Sequence, residues 1–305
     1  LRLAGPRPVA WTLRRLTSDA RSEHPDVPGL AERVVVERDH AVEVPRAPTA
    51  YFDLYRPVSG GSNPTLVWWH GGGFMGGDKA TGYDFGVLVA SHGFTVVQPS
   101  VSLAPSSGYP VQLRQGRAVL AGVVSRAAEL GVDPGALVLG GESSGATLAA
   151  QLVALHTSPE NAELVGLEPV VAVEQLRALV LYCGILDLFT VAETRFPLVE
   201  QMLWAYLGGR HWRRSPVLRQ ASPMAWADGS WPQTFLSVGD ADPLRPQSLA
   251  LAERLEAAGV PVTRSFHEDS RMNLQHGFQF AYRTVDGRAE ADRTIAFLER
   301  VVRRC

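Results

Sequence analysis

Cysteine is nearly absent from this chain: Cys183 and Cys305 are the two thiols among 305 residues. They cannot build a disulfide framework. Cys183 lies in an apolar run and Cys305 ends the chain, so both read as reduced thiols and the expected setting is cytoplasmic. An excess of either charge is missing too. Twenty-nine Lys and Arg against 31 Asp and Glu leave a formal net charge of −2, which gives no footprint for nucleic acid or an anionic membrane surface. No apolar run reaches the roughly 18 residues of a membrane span. Residues 1–16 carry Pro6, Pro8 and several arginines and lack the unbroken apolar core of a signal peptide. Histidine, cysteine and acidic residues do not recur at metal-ligand spacing, so neither a metal nor an organic cofactor is expected. Internal repeats and low-complexity tracts are also absent.

The composition that is present, 46% hydrophobic and 20% charged, suits a globular domain with a large core. Thr65–Trp69, Phe94–Val97, Leu137–Leu139, Ala178–Tyr182 and Thr234–Val238 are continuous β-type runs of the kind buried on both faces of a parallel sheet. Residues 33–37 and 51–55 alternate, and 260–266 reads as a last strand. Helical spacing falls between the strands, over 83–91, 110–130, 146–156, 246–258 and 289–303. A shorter helix is expected over 11–20, with Trp11, Leu13 and Leu16 as its apolar positions. Strand and helix in alternation predict a three-layer α/β domain around a mostly parallel sheet. The alternation breaks over 183–233, which holds a helical piece at 198–206 and the cluster Arg210-His211-Trp212-Arg213-Arg214. A connection of that length reads as a functional insert.

Chemistry concentrates at strand ends. Leu137-Val138-Leu139 runs into Gly140-Gly141-Glu142-Ser143-Ser144-Gly145 and then a helix, the strand–turn–helix context in which Gly-x-Ser-x-Gly presents a serine. A serine hydroxyl needs a base against it and a group to orient that base. Asp240 and Asp242 follow the 234–238 strand, and Asp242 is preferred because Pro243 stiffens its loop. After the last strand come His267 and His276; His276, backed by Gly277 in a loop with room to turn inward, is the better base. His70-Gly71-Gly72-Gly73-Phe74 directly follows the 65–69 strand, and its glycines let backbone N–H groups face an oxyanion. His70 is expected to brace that loop. Asp187 is expected to cap a turn, and the remaining histidines to be surface or satisfied core residues.

Together, His70-Gly71-Gly72-Gly73-Phe74, Gly141-Glu142-Ser143-Ser144-Gly145, Asp242-Pro243-Leu244 and His276-Gly277-Phe278 resemble the hormone-sensitive-lipase-like esterases of the α/β-hydrolase superfamily. Weaker echoes are Leu103-Ala104-Pro105, Tyr109-Pro110, Asp133-Pro134 and Ser222-Pro223. The resemblance implies one domain over 1–305, with a mostly parallel sheet of about eight strands and a helical cap formed by residues 1–33 and 187–221. It implies Ser143 as nucleophile, His276 as base, Asp242 as orienter, and oxyanion donors from Gly72, Gly73 and Ser144. Cap-side candidates for an apolar substrate pocket are Phe74, Trp204 and Trp212, with Trp11, Phe196 and Leu203. The partner it implies is a small ester, with a short or medium uncharged acyl group, and the last strand is a place where two copies pair as a homodimer.

The departures from that pattern are local. Glu142 and Ser144 stand where the family has Asp and Ala, and Val101-Ser102 where it has Tyr-Arg. Ser106 replaces an acidic residue, Gln115 or its neighbour an Asp, and residues 268–273 lengthen the His276 loop. The family's ion pairs around these loops must therefore be rebuilt here. Two other readings use the same scaffold: an acyltransferase or lactone-forming enzyme on the same triad, and a ligand-binding protein without catalysis.

Overall fold

The computed structural model describes residues 5–17, 23–267 and 272–303. Eight strands form one sheet: β1 (Val34–Val42), β2 (Ala50–Pro57), β3 (Asn63–Trp69), β4 (Thr95–Ser100), β5 (Val132–Glu142), β6 (Leu176–Tyr182), β7 (Thr234–Ser237) and β8 (Val262–Ser265). Their order is β1-β2-β4-β3-β5-β6-β7-β8. β2 is antiparallel to both β1 and β4, and β3 to β8 run parallel to one another. The apolar runs are buried as their pattern requires. Leu66 and Val67 have no exposed surface, Trp68 and Trp69 at most 2%, and Leu137 to Leu139 none.

The strand order fixes where chemistry can sit. From β3 the chain goes outward to β4 and then returns across β3 to β5. That reversal opens a crevice beyond the carboxyl ends of β3 and β5, where ligands gather in open parallel sheets. Trp69 lies opposite Gly141 in the β3–β5 register, so the loops that follow these strands leave the sheet side by side.

Several helices differ from the sequence expectation in their ends. The first, α1 (Pro6–Thr17), starts earlier than the expected 11–20 because proline is favourable in an opening turn. Residues 18–20 of the expected helix lie outside the described ones. The earlier start puts Val9 and Ala10 on the buried face and leaves Trp11 59% exposed, under the guanidinium of Arg15. Trp11 is therefore not an inward position of this helix. The single helix expected over 110–130 is broken at Arg126 into α2 (Val111–Ser125) and a short turn, Ala127–Leu130. There the Ser125 hydroxyl bonds back to Gly122 O at 3.1 Å, competing with the helical ladder. The last helix begins at Val285, where Thr284 Oγ1 accepts the Gly287 N–H.

Two apolar clusters result. The larger fills both faces of the sheet. The smaller joins α1 and the helix Val199–Leu207 to the segment after β3, through residues such as Val9, Phe74, Met75, Leu203 and Tyr206. Arg14 adds polar ties from α1, donating to Met75 O at 3.0 Å and Ala104 O at 3.2 Å. Among the described residues no helix is long and apolar enough to cross a membrane.

Candidate active site

Ser143 stands alone between β5 and the helix α3 (Ser144–Thr157), with a left-handed φ of 50°. The flanking glycines make that turn sterically possible. A Cβ on Gly145 would lie 2.1 Å from Trp69 O, and one on Gly141 would lie 2.5 Å from the Gly145 carbonyl carbon. Packing therefore forces strand and helix together around one strained residue, which is how this motif lifts a serine above the sheet edge.

Beside it, the loop after β3 turns back through Gly72, whose φ is 121° and whose Cβ would meet Gly76 O at 2.2 Å. Met75 N and Gly76 N both donate to Gly72 O, at 3.1 and 2.9 Å, and hold the turn closed. Among the described residues no acceptor takes the N–H groups of Gly72 or Gly73. Ser144 N–H occupies the first turn of α3, where a helix supplies no acceptor of its own. His70 braces the loop, its Nδ1 lying 2.7 Å from Gly71 O, and burial lowers the pKa of its ring.

The loops after β7 and β8 bring the other groups. Asp242 Oδ2 lies 2.9 Å from His276 Nδ1, and His276 Nε2 lies 3.1 Å from Ser143 Oγ. An imidazole that donates from Nδ1 to a carboxylate presents Nε2 as an acceptor. Asp242 is buried, and its other oxygen accepts the Leu244 N–H at 2.8 Å. Burial disfavours the charged form of His276, but the Cys183 sulfur and the Asp242 carboxylate outweigh it and hold its pKa well above the ordinary histidine value.

The rival residues have other employment. Asp240 Oδ1 accepts the Leu274 N–H at 2.6 Å, so it fastens the loop that carries His276. His267 faces the buried carboxylate of Glu290 at 3.1 Å and packs against the Phe278 ring. Asp187 caps its own turn through Phe189 N and Thr190 Oγ1. His156 is a satisfied core residue, between Leu152 O and Val170 N.

The apolar candidates divide. Phe74 is buried and stacks on Tyr206, with ring centroids 3.9 Å apart. Trp212 is buried inside the insert, where its indole N–H donates to Glu200 at 3.0 Å. Trp204 is half-buried at the edge of the smaller cluster. Phe196 meets the His276 ring edge-on at 4.7 Å. Met202 was not singled out from sequence, yet a Cβ on Gly73 would lie 2.7 Å from its sulfur. Its position in an apolar helix gave no sign of which face turns to the glycine loop.

Two further contacts escaped the sequence reading. Where the family's ion pairs are replaced, an amide network stands: Gln115 accepts the Ser102 N–H at 2.8 Å and donates to Ser102 Oγ and Pro48 O, both at 2.9 Å. Gln112 joins it, donating to Ser102 O at 2.8 Å and Phe74 O at 3.1 Å. Cys183, which follows β6, is buried beside Asp242 and His276, its sulfur within 4.8 Å of donor atoms of both. No spacing in the sequence links these three residues, because strand order alone brings them together. Cys305 and residues 268–271 of the lengthened His276 loop lie outside the described residues.

A sheet of this topology, with serine, acid and histidine on the loops that follow β5, β7 and β8 at its carboxyl edge, defines an α/β hydrolase. A family model described as the α/β hydrolase fold matches residues 66–279, and the chain belongs to that family. Within it the chain is of the hormone-sensitive-lipase-like type, an enzyme of the serine ester hydrolase class. It is 30% identical over 257 residues to carboxylesterase NlhH of Mycobacterium tuberculosis, covering 81% of this chain and 76% of that protein. To esterase LipQ of the same organism it is 28% identical over 281 residues, covering 90% of this chain and 65% of LipQ. Among solved structures, a bacterial heroin esterase superposes with a TM-score of 0.75 at 25% identity, covering 97% of this chain and 98% of that one.

Proposed function

We propose that this chain hydrolyses carboxylic esters through an acyl-enzyme formed on Ser143. The observation that carries this reading is the continuous hydrogen-bonded path from Asp242 through His276 to Ser143 Oγ, with steps of 2.9 and 3.1 Å. His276 Nε2 takes the hydroxyl proton as Ser143 Oγ attacks the ester carbonyl. The carbonyl oxygen becomes an anion held by the N–H groups of Gly72, Gly73 and Ser144, a contribution worth about 10²–10³-fold in rate per donor. His276 then returns the proton to the leaving alcohol. Water enters, gives its proton to the same ring and releases the acid. Asp242 holds the ring in the productive tautomer and offsets its transient positive charge.

The expected cap, residues 1–33 and 187–221, acts in this reading through its described parts, since 1–4 and 18–22 lie outside the described residues. Its support is the packing of α1 on the helix Val199–Leu207, and the placement of Met202 against Gly73 and of Phe196 against His276. These side chains are apolar, which favours an uncharged acyl group of short or medium length. β8 is an edge strand, and pairing of two copies along it is the expected route to a homodimer.

A chain-length series of p-nitrophenyl esters, with Ser143→Ala beside wild type, tests activity and acyl size together. Turnover of short and medium esters, lost in Ser143→Ala, is expected. Equal turnover in the two proteins would overturn the assignment. Adding a free alcohol separates hydrolysis from acyl transfer, since a transferase partitions to the alcohol well beyond its share of the solvent.

A further inference from the structure

A cavity of about 210 Å³ lies between the glycine loop and the loop that carries His276. Its lining includes Gly71, Gly72, Glu142 and Gly277. Each adjoins a group assigned to the chemistry: Gly72 is an oxyanion donor, Glu142 precedes Ser143 and Gly277 follows His276. A Cβ on Gly71 would lie 3.2 Å from both Glu142 Cγ and Ser143 Cβ, so the carboxylate side chain and the nucleophile meet the same backbone atom. Two aromatic residues, Trp68 and Phe280, also line it.

The charge of this cavity is one-sided. Glu142 accepts the Gly71 N–H at 3.1 Å, and among the described residues no lysine or arginine pairs with it. Burial pushes its carboxyl pKa up, opposed by the Gly71 hydrogen bond and by His276. The other titratable residue of the lining, His70, has its pKa lowered by burial, so it supplies no compensating charge near neutral pH. A half-buried carboxylate with no lysine or arginine partner, in a cavity also lined by aromatic residues, matches an ammonium group: the charge answers the carboxylate and the alkyl surface answers the aromatic lining. A neutral group of the same shape gains only the second.

We propose that this cavity receives the alcohol part of the ester and that Glu142 makes it select alcohols bearing an ammonium group. The proposal rests on Ser143 as the nucleophile. Glu142 is then a specificity-determining residue that also ties the nucleophile turn to the glycine loop.

The test compares 2-(trimethylammonio)ethyl acetate with 3,3-dimethylbutyl acetate, two esters of matching shape that differ in charge, at pH 8 on the full chain. Wild type is expected to favour the cationic ester in kcat/KM by about tenfold or more. Glu142→Gln keeps an oxygen for the Gly71 N–H and is expected to bring the ratio close to one, whatever it does to the absolute rate. Tetramethylammonium chloride should inhibit wild type competitively against the neutral ester, where equal sodium chloride does not; this arm needs no variant. Equal kcat/KM for the two esters in wild type, a preference that survives in Glu142→Gln, or tetramethylammonium acting no better than sodium would each overturn the proposal. Ser143→Ala separates the two levels. If it still hydrolyses both esters, the nucleophile reading fails; if hydrolysis needs Ser143 but ignores charge, only this proposal fails.

Discussion

Asp240 holds the backbone N–H of Leu274 at 2.6 Å, two residues before His276 in the neighbouring loop. The adjacent Asp242 reaches the His276 ring itself at 2.9 Å. One loop therefore carries two carboxylates with separate duties, one fixing where the histidine loop lies and the other fixing how its ring points. The two predict different losses. Asp242→Asn should lower kcat by about 10⁴-fold, because the amide favours the wrong tautomer. Asp240→Asn should destabilise the fold by about 1–2 kcal/mol and lower kcat far less. Steady-state kinetics with denaturant titrations of both variants check this, and equal kinetic losses would contradict the division.

The environment of His276 sets the pH profile. Only its neutral form accepts the serine proton, and its pKa is held above the ordinary value of 6.5 by neighbours that outweigh burial. The acid limb of kcat/KM should therefore have its midpoint above 6.5, with activity lost as pH falls through it. The sign for stability is opposite. A raised folded pKa stabilises the fold below the unfolded value, and that contribution fades as pH rises through the folded value. A midpoint at or below about 6 with chemistry rate-limiting would contradict the raised pKa of His276.

The amide network under the glycine loop predicts a stability cost. Gln115 makes three hydrogen bonds, to Ser102 N, Ser102 Oγ and Pro48 O, and is buried. Gln115→Ala leaves these groups unsatisfied and should cost about 2–3 kcal/mol, read as a lower denaturant midpoint at unchanged slope. A change below about 0.5 kcal/mol would show that water replaces the network freely.

Met202 predicts a change in acyl selection. Its sulfur sits against Gly73, so Met202→Ala removes bulk beside an expected oxyanion donor. The ratio of kcat/KM between longer and shorter acyl esters should shift toward the longer by roughly tenfold. An unchanged ratio would place the acyl group elsewhere.

Much of this architecture was legible because backbone constraints leave local marks. Gly141 and Gly145 must be glycine where Trp69 O and the helix backbone press on them, and five parallel strands had to be apolar on both faces. Asp242 could be chosen over Asp240 because Pro243 stiffens its loop, and His276 over His267 because Gly277 and a longer loop let it turn inward. The helix Pro159–Val165 was overlooked although its marks are present, with Ser158 capping it, Pro159 opening it and Gly166 closing it at φ 68°. Other features had no local mark. Trp11 faces outward because Val9 and Ala10, which precede the expected helix, take the buried face, and Cys183 reaches the Asp242–His276 pair only through the order β6-β7-β8. The Gln115–Ser102 pairing was likewise hidden, since neither residue type announces its partner.

The account turns on Ser143 as an activated nucleophile. A fluorophosphonate probe added to the intact wild-type chain, followed by mass spectrometry of its peptides, measures this directly. The expected result is one adduct, on the peptide holding Ser143, absent in Ser143→Ala and strongly reduced in His276→Ala. Adducts of equal yield in wild type and Ser143→Ala, or modification mapped to another serine, would contradict it.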